Sequence, residues 1–354
     1  MRKLELRMLL PFLHRVAGRH DLSPAEAREA MLAILNGEVS TARIAAFLVA
    51  LRMKGETADE LLGFARAMRD KSERVEAEPP LLDTCGTGGD GAGTFNISTI
   101  AAFVVAGAGV RVAKHGNRST TTGSQCGSAE VLETLGITMA MPPAQAAQAI
   151  REIGMGFLFA PLMHPAMKHA HPARVELKMR TAFNLLGPLT NPAGATRQLA
   201  GAPSEHAAAL MADALAALGT ERAFVVHGSD GLDEVTTTGP TAVFEVCAGA
   251  AHRLTWTPED FGVPRASVEQ LRGGDRHVNC RIACEVLGGA RGPRRDIVLV
   301  NAAAALVAAG RAADPREGVR LAENSIDLGA AWGKVQALRR FSGNFENNPA
   351  VDPL

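Results

Sequence analysis

A glycine-rich segment at residues 85–91, Cys-Gly-Thr-Gly-Gly-Asp-Gly, carries the clearest chemical signal in the sequence. Glycines let backbone amides approach a ligand closely, so a turn of this kind is a natural nest for an anion. The spacing also satisfies the dinucleotide motif GxGxxG, but that motif expects an acidic residue about 20 positions later to hold a ribose. No Asp or Glu occurs between Gly91 and Ala129, and no Gly-Lys-Ser/Thr closes a P-loop. The segment therefore predicts phosphate binding rather than binding of a nicotinamide dinucleotide.

Basic and polar side chains follow within the same acid-free stretch. Lys114 and two arginines make the stretch locally cationic in a chain that is neutral as a whole. A predicted strand at 110–113 leads into Lys-His-Gly-Asn-Arg-Ser at 114–119, and ligands of open α/β sheets bind where strands end. A structural histidine is the alternative for His115, but its neighbouring donors favour a contact with a ligand.

The sequence Asn-Ile-Ser-Thr at 96–99 precedes a predicted apolar helix at 100–108. The free amides and the dipole at a helix N-terminus favour a phosphate. Taken alone, Ser98 is better explained by an ordinary N-cap. Beside a glycine-rich turn and a cationic strand end, a phosphate contact is the favoured interpretation.

Two adjacent carboxylates, Asp233 and Glu234, follow Gly231-Leu232. Such a pair is commonly just a solvated turn. Neighbouring side chains of a strand point to opposite faces, so the pair serves one metal only from a loop, or else serves two ions on either side of a diphosphate. Magnesium keeps most of its water and needs only one or two carboxylates plus substrate phosphates. The pair is therefore sufficient for a magnesium site.

Basic side chains also cluster at 168–180, where Glu176 is the only acidic residue. A solvated helix face is the usual meaning of such a run. A planar guanidinium also matches a carboxylate in a two-pronged pair. Arg174 is therefore a candidate for holding the carboxylate of a substrate.

Two other groups of side chains could bind zinc, and both are disfavoured. His164, His169 and His171 are spaced irregularly along a stretch that prolines interrupt. Cys280 and Cys284 could share a helix face, but two ligands do not close a zinc site. Ordinary buried thiols are the better interpretation of these cysteines.

Composition limits the classes of function. The chain has 354 residues, 37 of them basic and 37 acidic, so there is no basic field to attract nucleic acid or an acidic membrane. Only 4% of the residues are aromatic, which disfavours a stacking platform for single-stranded nucleic acid. The apolar runs are shorter than the roughly 18 residues of a membrane helix. Five scattered cysteines favour a reducing cytoplasm over a disulfide scaffold. We expect a cytoplasmic protein with no nucleic acid and no membrane partner.

The length predicts about two domains, and the texture of the sequence changes after residue 75. The first part predicts about four helices, with capping-box spacings that begin at Ser23 and Thr57. Beyond a Pro-Pro break, short apolar runs alternate with Ala-rich helical windows, and Val243–Trp256 predicts two strands around Gly249. This alternation is typical of an α/β sheet.

Seven runs of the sequence, in order along nearly the whole chain, closely resemble the anthranilate phosphoribosyltransferases. That family joins anthranilate to phosphoribosyl pyrophosphate in the biosynthesis of tryptophan. The runs are GTGGDGAGTFNIST (86–99), VAKHGNRS (112–119), GSAEVLETLG (127–136), HPAMKH (164–169), RTAFNLLGPLTNPAG (180–194), VVHGSDGLDE (225–234) and RDIVLVNAAAALVAAG (295–310).

The resemblance implies an α/β fold like that of nucleoside phosphorylases, with a small helical domain packed against a larger α/β domain. The helical domain is expected at 1–75, joined by helices from about 165–182. The catalytic domain, with a central and mainly parallel sheet, is expected at 76–354. A magnesium requirement and a homodimer are also implied.

Carried over residue by residue, the resemblance implies a complete set of site residues. The contacts to phosphoribosyl pyrophosphate fall on Gly86, Gly89, Asp90, Thr94, Asn96, Ile97, Ser98, Thr99, Lys114 and Ser128. The magnesium ligands fall on Ser98, Asp233 and Glu234, and the anthranilate contacts on Gly86, Asn117 and Arg174. The catalytic residues are Lys114, His115 and Asn117.

The implied reaction needs no protein nucleophile. The uncharged arylamine attacks C1 of the ribose as pyrophosphate leaves, so the protein positions the substrates and stabilises charge. Lys114 and magnesium neutralise the leaving group, while Asn117 and Gly86 orient the amine.

The sequence departs from the family pattern in three places. The stretch Ser119–Ser128 is two residues longer than usual, which places an insertion within Thr120–Ser124. Glu130 stands where the family has Asp at a helix start, and Lys178 stands where Gly is common. Contacts inside the lengthened loop cannot be assigned singly.

Three alternative functions remain at this point. A nucleoside phosphorylase of the same fold would bind free phosphate, but the Lys-His-Gly-Asn-Arg run and the Asp233-Glu234 pair favour a diphosphate sugar. A non-catalytic nucleic-acid-binding member of the fold is disfavoured by the zero net charge. A nicotinamide dehydrogenase lacks its ribose-binding acid.

Overall fold

The computed structural model describes residues 9–88, 91–119 and 126–343. The chain begins with a bundle of four described helices: α1 (Leu10–Ala17), α2 (Pro24–Leu35), α3 (Thr41–Lys54) and α4 (Ala58–Asp70). The predicted capping boxes are confirmed. The side chains of Ser23 and Thr57 accept the amides of Glu26 and Glu60, which start α2 and α4.

Glu60 is fully buried within this bundle. One carboxylate oxygen accepts the Leu22 amide at 3.0 Å, and the other accepts the Thr57 amide at 3.0 Å and Lys54 Nζ at 3.0 Å. A buried carboxylate is costly unless it is paired and hydrogen-bonded. These partners therefore let Glu60 tie two helix starts and the end of α3 together.

A seven-stranded sheet forms the centre of the rest of the chain, in the order β3-β2-β1-β4-β5-β6-β7. The first five strands are parallel, and β6 and β7 continue the sheet as an antiparallel hairpin. The mainly parallel sheet and the two strands predicted around Gly249 are thereby confirmed. The strands are β1 (Leu82–Thr84), β2 (Val112–Gly116), β3 (Met155–Phe159), β4 (Arg197–Gly201), β5 (Arg222–Gly228), β6 (Thr241–Cys247) and β7 (Ala250–Trp256).

Helices cover the sheet. The longer ones are α5 (Ile97–Gly107), α6 (Ser128–Thr134), α7 (Pro143–Ile153), α9 (His171–Leu177), α11 (Glu205–Ala217), α13 (Arg276–Leu287), α14 (Pro293–Ala308), α15 (Pro315–Asp327) and α16 (Ala330–Ser342). The shorter ones are α8 (Ala160–Met163), α10 (Phe183–Leu186) and α12 (Pro258–Phe261). Three 3₁₀ turns lie at Pro165–His169, Gly187–Leu189 and Val268–Leu271.

The central strands are buried on both faces, as expected of a parallel sheet between helices. In β5, Phe224 and Val226 pack into a cluster with α5, α14 and α15, while Ala223 and Val225 pack into a second cluster with α11 and the helical bundle. Because successive side chains point to opposite faces, one strand contributes to both clusters. The sheet is thus packed between two apolar clusters, one on each face.

The segment that contains α9 and α10 packs against the helical bundle. Ala170, Ala173, Ala182 and Phe183 lie in the same apolar cluster as the core of the bundle. This packing is what the predicted joining of residues 165–182 to the helical domain requires, and the domain boundary after residue 75 stays a prediction. None of the described helices is long enough and apolar enough to span a membrane.

Candidate functional site

The carboxyl ends of β1, β2, β4 and β5 lie at one edge of the sheet, since these strands are parallel. The glycine-rich turn follows β1, the Lys-His-Gly-Asn run ends β2, and the loop with Asp233 and Glu234 follows β5. Loops at this edge of an open α/β sheet form the usual binding crevice. The fold therefore brings together segments that are far apart in the sequence.

The glycine-rich turn contacts Asp233 directly. The Gly88 amide donates to Asp233 Oδ2 at 2.7 Å, and the Thr87 amide donates to the carbonyl of Gly201 at 3.0 Å. A Cβ on Gly86 would lie 2.7 Å from Asp233 Oδ2, and one on Gly201 would lie 1.7 Å from the Asp233 carbonyl oxygen. The close approach of the Asp233 backbone therefore excludes a side chain at Gly201, whereas a Cβ at Gly86 would displace the Asp233 carboxylate.

The N-terminus of α5 contacts Glu234. The Ser98 amide donates to Glu234 Oε1 at 3.2 Å, and the Ser98 carbonyl accepts Thr84 Oγ1 at 3.1 Å. The N-cap residue is Asn96, and its side chain makes no capping bond. Asn96 instead donates to the carbonyl of Cys126 at 3.1 Å and accepts from Asn279 at 3.0 Å. The N-cap interpretation of Ser98 is therefore wrong, and the start of α5 faces an anionic group.

Lys114 is buried beneath the glycine-rich turn. Its Nζ donates to the Thr84 carbonyl at 2.5 Å, and only 2% of the residue is exposed. The neighbouring Asp83 accepts the His115 amide at 3.1 Å and Asn191 Nδ2 at 2.8 Å. Burial raises the pKa of Asp83 to about 6, although Lys114 and the hydrogen bonds oppose this shift. Asp83 and Asn191 thus fix the end of β2 that carries Lys114 and His115.

His115 packs against His164, with their ring centroids 5.1 Å apart and their planes inclined at 56°. His115 Nδ1 bonds the carbonyl of Gly187 at 3.1 Å, and the ring of His164 bonds the backbone of Thr190. Burial lowers the pKa of His115 to about 4 and that of His164 to about 3. Both rings are therefore neutral at pH 7, and each has a buried Nε2 with no partner among the described residues.

Asn117 directly follows β2 and is exposed. Its carbonyl accepts Ser128 Oγ at 3.2 Å, so two predicted site residues touch each other. Glu130 accepts the amide of Gly127 at 3.0 Å and that of Ser119 at 3.2 Å. The longer carboxylate in place of the family's Asp therefore ties together the two ends of the lengthened loop.

Arg174 lies in α9 with its guanidinium 5.3 Å from the ring centre of Phe183. Burial lowers its pKa, and no charged neighbour among the described residues offsets this cost. Phe183 starts α10, and the turn that follows contains Gly187, the partner of His115. Lys178 ends α9 with φ +48°, a left-handed conformation that explains why glycine is common there.

Some of the predicted site residues contact or are buried among other parts of the chain, and others lie outside the described residues. Thr94 forms a bridge with Arg272, and Ile97 and Thr99 are buried in α5. Gly89, Asp90 and the insertion at Thr120–Ser124 lie outside the described residues.

The sequence patterns missed several residues that hold the site. Asp83 and Asn191 support β2, and Asn301 in α14 bonds the backbone of Val235. A polar residue inside the apolar run 297–308 was the available signal for Asn301. The sequence suggested His164 only as a disfavoured zinc ligand, because its contact with His115 joins residues that are 49 positions apart and only the folded chain brings them together.

One trio of potential metal ligands lies within 4.8 Å among the described residues: Asp83, Cys85 and His115. Asp83 is already bonded to an amide and to an asparagine. Burial and the nearby Asp83 raise the pKa of Cys85, which keeps the thiol protonated, and thiols bind metals as thiolates. The trio is therefore structural.

Two family models match the chain. A model described as "Glycosyl transferase family, helical bundle domain" matches residues 10–72, and one described as "Glycosyl transferase family, a/b domain" matches residues 78–332. The second match contains the glycine-rich turn, the end of β2 and the loop with the two carboxylates.

Similar proteins cover almost the whole chain. The anthranilate phosphoribosyltransferase of Solibacter usitatus is 65% identical over 95% of this chain and 99% of its own length. That of Moorella thermoacetica is 57% identical over 91% of this chain and 95% of its own length.

Solved structures agree with these matches. The crystal structure of anthranilate phosphoribosyltransferase from Thermus thermophilus has a TM-score of 0.88 and 44% identity, covering 93% of this chain and 98% of that one. The enzyme from Saccharomyces cerevisiae, in complex with PRPP and Mg, has a TM-score of 0.86 and 29% identity, covering 95% and 98%. Because sequence identity and fold agree over nearly the full length, the chain belongs to the anthranilate phosphoribosyltransferase family.

Proposed function

We propose that the chain transfers the phosphoribosyl group of phosphoribosyl pyrophosphate to anthranilate, giving N-(5-phosphoribosyl)anthranilate and pyrophosphate, in tryptophan biosynthesis. One observation carries this proposal. Asp233 bonds the glycine-rich turn and Glu234 bonds the start of α5, so two phosphate-binding elements and a pair of carboxylates meet at one edge of the sheet.

The backbone and Lys114 provide the phosphate site. The amides of Gly88 and Ser98 donate to Asp233 and Glu234, which shows that the turn and the start of α5 present donors suited to an anion. Lys114 lies beneath the same turn and supplies a positive charge with little exposure to water. These groups and the turn through Gly86, Gly89 and Asp90 would hold the pyrophosphate of the substrate, with Thr94, Asn96, Thr99 and Ser128 completing the contacts.

Magnesium fits the residues at this edge. A diphosphate bound against the turn would face Asp233 and Glu234. The negative charges of the diphosphate and the carboxylates would repel each other, and a cation between them would offset this repulsion. The two carboxylates and the hydroxyl of Ser98 are all oxygen donors, which Mg²⁺ prefers. The ion, when bound, neutralises the charge that develops on the departing pyrophosphate.

Arg174 would bind the carboxylate of anthranilate. Its guanidinium is partly buried, lies over the Phe183 ring and has no charged neighbour among the described residues, so a substrate carboxylate would supply the missing counter-charge. Asn117 and the backbone of Gly86 would orient the amine toward the ribose. These three contacts come from different elements and fix the acceptor in one orientation.

The chain's own groups then do three things in the reaction. They hold the amine close to C1 of the ribose, they stabilise the leaving pyrophosphate, and they accept the proton that the amine loses. Neutral His115 offers for that proton a buried Nε2 that has no partner in the described part of the chain. A ring with a pKa of about 4 can take this proton, because an arylammonium is much more acidic than an alkylammonium.

The direct test is the loss of anthranilate fluorescence when phosphoribosyl pyrophosphate and magnesium are added to the purified protein. We expect the signal to fall only when both are present, with one pyrophosphate released per anthranilate consumed. A parallel reaction with inorganic phosphate and a pyrimidine nucleoside tests the phosphorylase alternative. Nucleoside cleavage without anthranilate consumption would overturn the proposal.

We also propose a cytoplasmic homodimer. All five cysteines are free thiols, as a reducing compartment requires. Met53, Val175 and Met179 are exposed apolar side chains on α3 and around α9, and Met53 is 72% exposed. Such residues suit an interface between copies. Sedimentation of the wild type and of Met53→Lys tests this: a wild-type monomer contradicts the proposal.

A further inference from the structure

Asn301 lies in the middle of α14 and is fully buried. The surrounding stretch of the helix is apolar, with leucine, valine and alanine on either side. Burying an amide among such residues costs free energy unless every donor and acceptor finds a partner. The hydrogen-bond partners of Asn301 therefore indicate why a polar side chain is placed in this helix.

The carboxamide pairs with the backbone of one residue in the loop after β5. The Val235 amide donates to Asn301 Oδ1 at 2.9 Å, and Asn301 Nδ2 donates to the Val235 carbonyl at 2.9 Å. The second hydrogen of Nδ2 goes to the carbonyl of Ile297 at 2.8 Å, one helical turn back. The side chain thus imitates a paired strand and fixes both the position and the orientation of the Val235 peptide groups.

Val235 directly follows the two carboxylates. Its side chain is buried in the main apolar cluster, which limits sliding of the loop. On the other side, Asp230 accepts the hydroxyls of Thr236 and Thr238, each at 2.6 Å. The loop is held at Asp230 by bonds within itself, and Asn301 ties its backbone at Val235 to α14.

We propose that Asn301 is a positioning residue that fixes the Asp233-Glu234 pair for metal and diphosphate binding. It touches no reacting atom and acts through the backbone of Val235. Its loss leaves a buried amide and a buried carbonyl of Val235 without their partner, so the loop shifts or loosens to recover hydrogen bonds. Asp233 and Glu234 then move away from their hydrogen bonds to the glycine-rich turn and to the start of α5.

The inference rests on the proposed function, because it assumes that Asp233 and Glu234 hold the metal. The test compares Asn301→Leu, which keeps the number and branching of side-chain atoms but removes the bonds, with Asn301→Ala, which removes the bonds without crowding. Ser325→Ala is the matched control. Its hydroxyl is also buried and donates to a backbone carbonyl, that of Val104, at 2.7 Å, but it does not contact the loop.

Binding of Mn²⁺ in the presence of phosphoribosyl pyrophosphate is measured through the relaxation rate of water protons. The kinetic constants for Mg²⁺ and for anthranilate are measured separately. For Asn301→Leu and Asn301→Ala we expect the metal constants to rise by about tenfold, since unsatisfied buried groups have an effect of this order. The KM for anthranilate should stay within about twofold of the wild type, because Arg174 is held by other elements. Ser325→Ala should lower the melting temperature and leave all three constants unchanged.

Failure of the inference is distinguishable from failure of the proposed function. If the wild type binds no metal with the sugar diphosphate, the proposed function fails. If the wild type binds it while a folded Asn301 variant behaves like Ser325→Ala, the positioning role is wrong. A rise in the anthranilate constant equal to that in the metal constants would likewise reduce Asn301 to a general structural residue. If Asn301→Leu does not fold, Asn301→Ala carries the same comparison.

Discussion

Replacing Gly86 with Ala should weaken metal binding with little effect on folding. The new Cβ would lie 2.7 Å from Asp233 Oδ2, where a relaxed contact needs 3.4 Å or more, so the carboxylate must retreat by about 0.7 Å. The Gly88 amide would lose its 2.7 Å bond to that oxygen. A hydrogen bond to a charged group contributes roughly 1.5 to 3 kcal/mol, which corresponds to about a tenfold to hundredfold weaker constant for Mg²⁺.

The assay is the rate of anthranilate fluorescence loss as a function of Mg²⁺ at saturating substrates, with thermal unfolding measured in parallel. Gly333→Ala is the control for the substitution itself, since its Cβ meets nothing within 4 Å and its site lies inside α16. We expect the control to keep the wild-type constant for Mg²⁺.

Gly201→Ala provides the contrast. Its Cβ would lie 1.7 Å from the backbone oxygen of Asp233, which cannot retreat as a side chain can. We expect a loss of about 1 to 3 kcal/mol in the free energy of unfolding, as for an overpacked core. If Gly86→Ala keeps the wild-type constant for Mg²⁺, or if it destabilises the fold as much as Gly201→Ala, our account of the contact with Asp233 is refuted.

Two further predictions concern the acceptor side of the site. Arg174→Ala should raise the KM for anthranilate by about tenfold to hundredfold and leave the KM for phosphoribosyl pyrophosphate unchanged. Lys168→Ala is the control. Equal changes in the two KM values would show that Arg174 does not bind anthranilate. The depressed pKa of His164, about 3 against 6.5 in the unfolded chain, gives stability that is present above pH 6.5 and lost as the pH falls toward 3. Between pH 7 and pH 5 the wild type should therefore lose about 2 kcal/mol more than His164→Phe in urea unfolding, and parallel losses would contradict a buried neutral ring.

Local patterns in the sequence predicted the elements and most of the chemistry. The capping boxes at Ser23 and Thr57 start helices, and the strands follow the short apolar runs. These features depend on neighbouring residues only, so a sequence pattern can reveal them. The mainly parallel sheet was implied by family resemblance and is confirmed.

Contacts across long distances in the chain could not be predicted in this way. Asp233 meets Gly88 across 145 positions, and Asn301 meets Val235 across 66. Ser98 is not the N-cap, because α5 begins at Ile97 with Asn96 at the cap, and the Asn96 side chain bonds Cys126 and Asn279 instead of the helix. Such partners depend on the packing of the whole sheet, which local periodicity does not encode.

The central claim is that phosphoribosyl transfer takes place where the Asp233-Glu234 pair meets the glycine-rich turn. The most direct test measures anthranilate consumed and pyrophosphate released by the wild type and by the double variant Asp233→Ala/Glu234→Ala at the same Mg²⁺ concentration. We predict equal amounts of the two for the wild type, and a loss of turnover in a double variant whose circular dichroism is unchanged. Near-normal turnover by the folded double variant would contradict the account.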